Sequence, residues 1–147
     1  MDVALLTVGD ELLAGDIENT NATWLARQLT DRGVAVRRIA VVPDDEAVIA
    51  EYVREFAAGF DAVVVTGGLG GTPDDLTMDA VAAAFDRPLA VDEAAREDVE
   101  RTVAAYQEAH PERDIDVNVE RHASIPDGSR VLLNTDGLSP GCVLEGV

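Results

Sequence analysis

Short apolar runs alternate along this chain with segments of helical spacing, and that alternation predicts most of its elements. Asp2 to Val8 (DVALLTV) is mostly apolar and predicts a first strand, which delivers Gly9, Asp10 and Glu11 at its end. A helix is expected from a cap at Asn19 or Thr20 to about Arg32, with Trp24, Leu25 and Leu29 on one face and Gly33 as the stop. By that spacing Trp24 is read as a core residue rather than a stacking platform. Val34 to Val42 (VAVRRIAVV) predicts a second strand, and its Arg37 and Arg38 read as solvent-facing charges on a sheet edge, with anion binding the alternative. Pro43 ends that strand. Asp44 is the expected N-cap of a helix from Asp45 to Ala58, whose Val48, Ile49, Tyr52, Val53 and Phe56 fall at helical spacing.

The stretch DAVVVTGGLGGTPDDLT, Asp61 to Thr77, is the one around which the rest is organised. Val63, Val64 and Val65 are β-branched throughout, as suits a strand buried on both faces of a parallel sheet. The run breaks into Thr66, Gly67, Gly68, Leu69, Gly70 and Gly71, and then into a helix carrying Met78, Val81, Ala82 and Phe85. Strand, glycine loop and helix start form the arrangement that sets a phosphate against backbone N–H groups. Asp74 and Asp75 would repel that phosphate unless a divalent cation lay between, so the loop points to phosphate together with Mg²⁺. A second reading stands beside it: glycines also tighten ordinary strand-to-helix turns, and acids in a first helical turn complement the helix dipole.

Beyond Asp86 the pattern weakens. Arg87 to Val91 is extended, and Asp92 opens a long acidic helix to about Glu108 with only a narrow Ala/Val stripe. His110 to Asn118 reads as loop, Arg121 to Ile125 as a short strand, and Val131 to Leu133 as another strand. That last strand ends in a loop rich in Gly, Pro and Ser from Asn134 to Gly141, after which Cys142 to Leu144 is apolar again. Strands alternating with helices give a parallel α/β sheet. A reversal between the first and third strands would bring Gly9, Asp10 and Glu11 beside the glycine loop.

Composition narrows the classes. With 147 residues, 47% of them hydrophobic, the chain suits one globular domain spanning 1–147. A cytoplasmic location is expected, since no stretch suits a membrane span and no basic, signal-like start is present. One cysteine excludes an internal disulfide, and the two histidines lack ligand-type spacing. The chain carries 29 acidic and 11 basic residues, all of the latter arginine, for a net charge of −18. Such a chain suits a medium in which molar salt screens self-repulsion, so a halophilic setting is expected. Nucleic acid is not expected as a partner, because no basic stripe exists to release counterions.

Several stretches together resemble one family. GDELLAGDIENTNATWLARQL, VVPDD and TGGLGGTPDDLT resemble the molybdopterin-binding domain of the MoaB/Mog superfamily, and within it the N-terminal domain of CinA (competence/damage-inducible) proteins. NVERHASIP and NTDGLSPG are more loosely similar. The resemblance implies a three-layer α/β/α sandwich with a mostly parallel central sheet, often assembled into homo-oligomers, typically trimers. It implies molybdopterin, or a nucleotide phosphate, as the small-molecule ligand and Mg²⁺ or another divalent cation as cofactor. In Mog-type members the reaction is adenylation of molybdopterin from Mg-ATP; in CinA-type members it is divalent-metal hydrolysis of the ADP-ribose pyrophosphate. A carrier or assembly module without catalysis is the third possibility.

By the same resemblance Asp44, in the Pro-Asp motif, and Asp75, in the Asp-x-Thr motif with Thr77, become the expected catalytic carboxylates. Asp75, Asp44 and Asp10 are the expected metal ligands. Thr66, Gly67, Gly68 and Gly70 would cradle phosphate, with Thr72, Asp74, Thr77, Gly9 and Glu11 around them. Asn134, Gly137, Ser139, Pro140 and Gly141 would close the far side. Three positions depart from the family pattern: Gly71 replaces Pro, His122 replaces Gln, and Ser139 replaces Ala. The family continues with a further strand and a Pro-Gly-Val-Pro turn, so a domain truncated at its C-terminus, with an incomplete sheet edge, is expected. Deamidase activity is not expected.

Overall fold

A computed structural model describes residues 1–147. Its centre is a three-stranded, all-parallel sheet in which β1 (Asp2–Val8) lies between β2 (Ala35–Val42) and β3 (Ala62–Thr66). Because the strands are parallel, β1, β2 and β3 all release their C-terminal ends along one rim, and the strand order reverses at β1, the switch point where open α/β sheets take ligands.

The helices between strands follow from apolar spacing and capping. α1 (Asp10–Leu13) is a single turn after β1. α2 (Thr20–Thr30) is capped by Asn19, whose Oδ1 accepts the Ala22 N–H at 3.2 Å. It lays Ala22, Leu25, Ala26 and Leu29 against Val3 and Leu5 of β1. Trp24, expected in the core, is instead 60% exposed. One residue before Leu25, it is turned about 100° from the packed face and leaves it.

α3 (Glu46–Gly59) covers the other face of the sheet. Its Ile49, Val53 and Phe56 are fully buried in a cluster with Leu6, Val8, Val42 and Val63, each worth about 1.5–3 kcal/mol in transferred area. The cap of α3 is Asp45, which accepts the Val48 N–H at 3.0 Å, and not Asp44 as expected. Arg37 and Arg38 do project from an edge strand; they pair in solvent with Asp2 and Glu55.

α4 (Thr77–Ala84) follows the glycine loop and packs on α3. The remaining elements form two small antiparallel pairs apart from the central sheet. β4 (Leu89–Val91) pairs with β5 (Ser124–Pro126), and β6 (Arg130–Leu132) pairs with β7 (Gly141–Val143). Between β4 and β5 lie α5 (Glu93–Ala109), which buries only Ala95, Asp98 and Val99, and the short α6 (Val119–Ala123). The strand expected at Arg121–Ile125 is thus helix as far as Ala123, because Asn118 caps a turn by accepting the Arg121 N–H. Nor is β3 enclosed as expected: Val63 is buried, but Val64 and Val65 are partly open. They line an apolar groove of about 250 Å³ with Leu69, Met78, Cys142 and Val143. No helix is long and apolar enough to cross a membrane.

Candidate functional site at the strand ends

The ends of β1, β2 and β3 meet at close range. Gly9 N–H donates to the Val42 carbonyl at 3.0 Å, stitching the end of β1 to that of β2. Asp10 and Asp44 then exchange backbone bonds: Asp10 N–H donates to Asp44 Oδ2 at 3.0 Å, and Asp44 N–H to Asp10 Oδ1 at 3.3 Å. That exchange, available only when the two strand ends are adjacent, explains why Asp44 does not cap α3. The glycine loop folds over the end of β1. Gly67 has φ +92° and Gly68 φ +62°, backbone that L side chains rarely adopt. A Cβ on Gly67 would lie 2.1 Å from the Val8 carbonyl oxygen, and one on Gly68 would lie 2.6 Å from Thr77 Oγ1 and 3.6 Å from Asp44 Oδ1. Glycine is therefore required by close approach as well as by conformation.

Thr77 is the anchor of this loop. It is 2% exposed; its Oγ1 donates to the Gly67 carbonyl at 2.7 Å and its N–H to the Gly68 carbonyl at 3.1 Å. With the carbonyls turned towards α4, the N–H groups of Gly68 and Leu69 are left without a protein acceptor. Free amides at a sheet's C-terminal rim form an anion cradle. Asp75 plays a different part from Asp44. Its Oδ2 accepts both the N–H and the hydroxyl of Thr72, and a Cβ on Gly70 would lie 2.4 Å from the same oxygen. Desolvation acts to raise the Asp75 carboxyl. The Thr72 hydroxyl and N–H, the Gly70 N–H and nearby His122 together outweigh it and hold the carboxyl below its ordinary value.

The three carboxylates expected to share a metal therefore divide. Asp10 and Asp44 form a pair beside Gly68, while Asp75 faces Gly70 and Thr72 further along the loop. Nowhere do three His, Cys, Asp or Glu side chains gather at one point. The pair still suits a small hard cation, because Mg²⁺ takes one or two carboxylates and completes its shell with water and phosphate oxygens. Asp10 and Asp44 each keep one carboxylate oxygen clear of protein donors.

The remaining expected residues fall around this centre. Thr66 ends β3 opposite Thr7, and Glu11 lines a pocket of about 130 Å³ with Gly67, Val8 and Asn19. Asp74 is exposed. In the far loop, Asn134 Oδ1 accepts the N–H groups of Asp136 and Gly137, and its Nδ2 donates to the Ser139 carbonyl at 2.9 Å. Pro140 is fully buried and Gly141 opens β7.

Two residues that sequence reasoning passed over join the loops. His122 Nδ1 lies 2.9 Å from Ser139 Oγ, and its Nε2 would be 2.3 Å from a Cβ on Gly71. Gly71, His122 and Ser139 thus meet at one point: the missing Cβ makes room for the imidazole that reaches the serine. Burial lowers the His122 pKa from its ordinary value, against the pull of Asp75 and with a push from Arg121. Arg121 in turn donates to the Asp75 carbonyl at 2.7 Å and forks onto both oxygens of Asp79.

Comparison with known proteins agrees with this architecture. The family described as "Probable molybdopterin binding domain" matches residues 4–144. A CinA-like protein of Citrifermentans bemidjiense is 41% identical over 146 residues, which are 99% of this chain and 34% of that protein. The crystal structure of the protein CinA, of unknown function, from Thermoplasma acidophilum superposes with a TM-score of 0.84 at 34% identity, covering 99% of this chain and 83% of that one. The molybdopterin biosynthesis enzyme MoaB from Thermus thermophilus gives a TM-score of 0.55 at 27% identity, covering 67% of this chain and 61% of that one. The chain spans 60% of the length of an Archaeoglobus fulgidus relative that it matches throughout at 38% identity.

Proposed function

The chain belongs to the family described as probable molybdopterin binding domains, and on that premise we propose that its strand-end rim binds molybdopterin or a nucleotide through phosphate and transfers an adenylyl group to molybdopterin. The observation that carries the proposal is the pair of free amides, Gly68 and Leu69, held by Thr77 beside the Asp10–Asp44 carboxylates. The amides donate to phosphate oxygens, and fixed donors of this kind stabilise charge that develops during transfer without reorganising. Asp10 and Asp44 would hold a divalent ion, which when bound supplies charge neutralisation between carboxylates and phosphate. Asp75 keeps Thr72 and the glycine loop in register, while His122 and Ser139 tie the far loop across the cleft. Positioning, rather than a protein nucleophile, provides the acceleration.

A second reading is favoured by the higher TM-score to CinA than to MoaB. In it the same rim hydrolyses the ADP-ribose pyrophosphate, water adding to one phosphorus as the bridging P–O bond breaks, to give AMP and ribose 5-phosphate. Incubation in high-KCl buffer with ATP plus molybdopterin, and separately with ADP-ribose, across divalent ions, separates the two. Adenylated pterin with pyrophosphate supports the first, and AMP with ribose phosphate the second. Binding without turnover leaves a pterin-binding module, and absence of binding refutes all three. Asp75→Asn is expected to abolish turnover in either assay. Assembly into a homo-oligomer, a trimer by resemblance, belongs to the same proposal, and sedimentation of a monomer in molar KCl would refute it.

A further inference from the structure

Trp24 is the chain's sole tryptophan, and it stands where no packing requirement places it. The buried face of α2 is completed by Ala22, Leu25, Ala26 and Leu29. The indole instead lines an open, mostly polar surface depression with Glu18, Asn19, Thr20, Thr23 and Arg27. Arg27 follows Trp24 by one helical turn and is paired with no carboxylate. Arg32, Arg54 and Arg130 are likewise without a carboxylate partner, and what sets Arg27 apart is its place beside the indole.

This depression adjoins the phosphate rim. Glu18, Asn19 and Thr20 form one of its walls and also line the smaller pocket that reaches Val8, Glu11 and Gly67. The shared wall is fixed, because Asn19 both caps α2 and donates through Nδ2 to Thr7 Oγ1 at 3.2 Å. The smaller pocket meets the glycine loop at Gly67, next in sequence to the free amide of Gly68, so a ligand entering there would extend along Asn19 towards the Trp24 indole and the Arg27 guanidinium. Indole faces stack on planar rings, and arginine adds a cation at the rim.

We propose that Trp24 and Arg27 form a stacking subsite for the planar nitrogen heterocycle of a ligand whose phosphate occupies the glycine loop. The inference rests on the phosphate reading above and adds the ring class and the residues that read it. Adenine and pterin share this chemistry. Glu18 and Asn19 supply the hydrogen-bonding edge that tells one from the other.

The full chain in molar KCl is titrated with AMP, neopterin monophosphate and ribose 5-phosphate, followed by calorimetry and by tryptophan emission. A ring-bearing probe is expected to bind and to change the emission saturably, while ribose 5-phosphate binds without changing it. Whichever ring changes the emission identifies the ligand. Trp24→Ala is expected to weaken the ring-bearing probe about tenfold or more and to leave ribose 5-phosphate unaffected, while Trp24→Phe retains most of the affinity. Equal affinity of the ring-bearing probe for wild type and Trp24→Ala overturns the subsite but not the phosphate site. Failure of all three probes to bind wild type overturns the phosphate reading, and the subsite with it. An emission change that follows protein concentration and sedimentation instead of ligand assigns Trp24 to a contact between copies, and also overturns the subsite.

Discussion

Replacing Thr77 by valine removes one hydroxyl and keeps the shape of the side chain. Thr77 is 2% exposed, and its Oγ1 is the donor to the Gly67 carbonyl at 2.7 Å. Without it that carbonyl loses its partner beneath the loop, at a cost of about 1–3 kcal/mol. At about 2–4 °C per kcal/mol for a domain of this size, the melting temperature should fall by about 2–12 °C. The loop consequence is separable from the stability one. Thr77 N–H still donates to the Gly68 carbonyl, so the loop stays tethered at one point but Gly67 can turn. Phosphate affinity should then fall by about tenfold, the equivalent of about 1.4 kcal/mol of lost preorganisation. Thr77→Ser is the control, since it keeps the hydroxyl and loses a methyl group. Thermal unfolding and calorimetry with ADP-ribose, both in molar KCl, provide the readouts. If Thr77→Val melts and binds as wild type does, the hydroxyl does not hold the cradle. If Thr77→Ser loses as much affinity as valine, packing and not the hydrogen bond is responsible.

Further outcomes are expected at the same rim and beyond it. His122 titrates below its ordinary value in the fold, through burial against the pull of Asp75, so the unfolded chain binds its proton more readily. Its linkage contribution is therefore unfavourable once pH falls below about 6.5 and fades above it. Asp75 is held low in the fold, so its contribution is present above its ordinary range near 3.8 and is lost as pH falls through the lower folded value. Unfolding midpoints should decline on acidification, and His122→Gln should flatten the upper part of that profile; an unchanged profile counts against the burial of the ring. Asp44→Asn should leave the melting temperature within about 1 °C, since an amide oxygen still accepts the Asp10 N–H, yet remove divalent-dependent turnover. Retained turnover would take Asp44 out of the metal role. Finally, with a net charge of −18, the unfolding midpoint should rise between low and molar KCl as the Debye length shrinks from about 10 Å to about 3 Å. A flat dependence refutes adaptation to salt.

The parts of this fold that local pattern could reach were those in which neighbours in sequence are also neighbours in space. β1 and α3 carry their burial in their own pattern, β2 and β3 their position though β3 not its enclosure, and the glycine loop declares its backbone through residue type. Asp44 and Asp45 show where that ends. Either can cap α3 by local chemistry, and the choice is made by Asp10, which only the parallel pairing of β1 with β2 brings within reach. Trp24 was misplaced for a related reason: Trp24 and Leu25 are both apolar, and only the seating of α2 on β1 decides which turns inward. The segment 119–132 was least legible. Its strands are three residues long and depend on partners far away in the chain, Ser124 on Val91 and Arg130 on Val143. The His122–Ser139 contact was invisible, since no local pattern brings the short helix α6 against the far loop.

Assigned backbone amide spectra recorded during titration with ADP-ribose test the central claim, that three strand ends converge on an anion cradle. Saturable shifts centred on Gly68 and Leu69, reaching Asp10 and Asp44, are the predicted result. Shifts confined to the groove along β3, at Met78, Cys142 and Val143, with Gly68 and Leu69 unmoved, would contradict it.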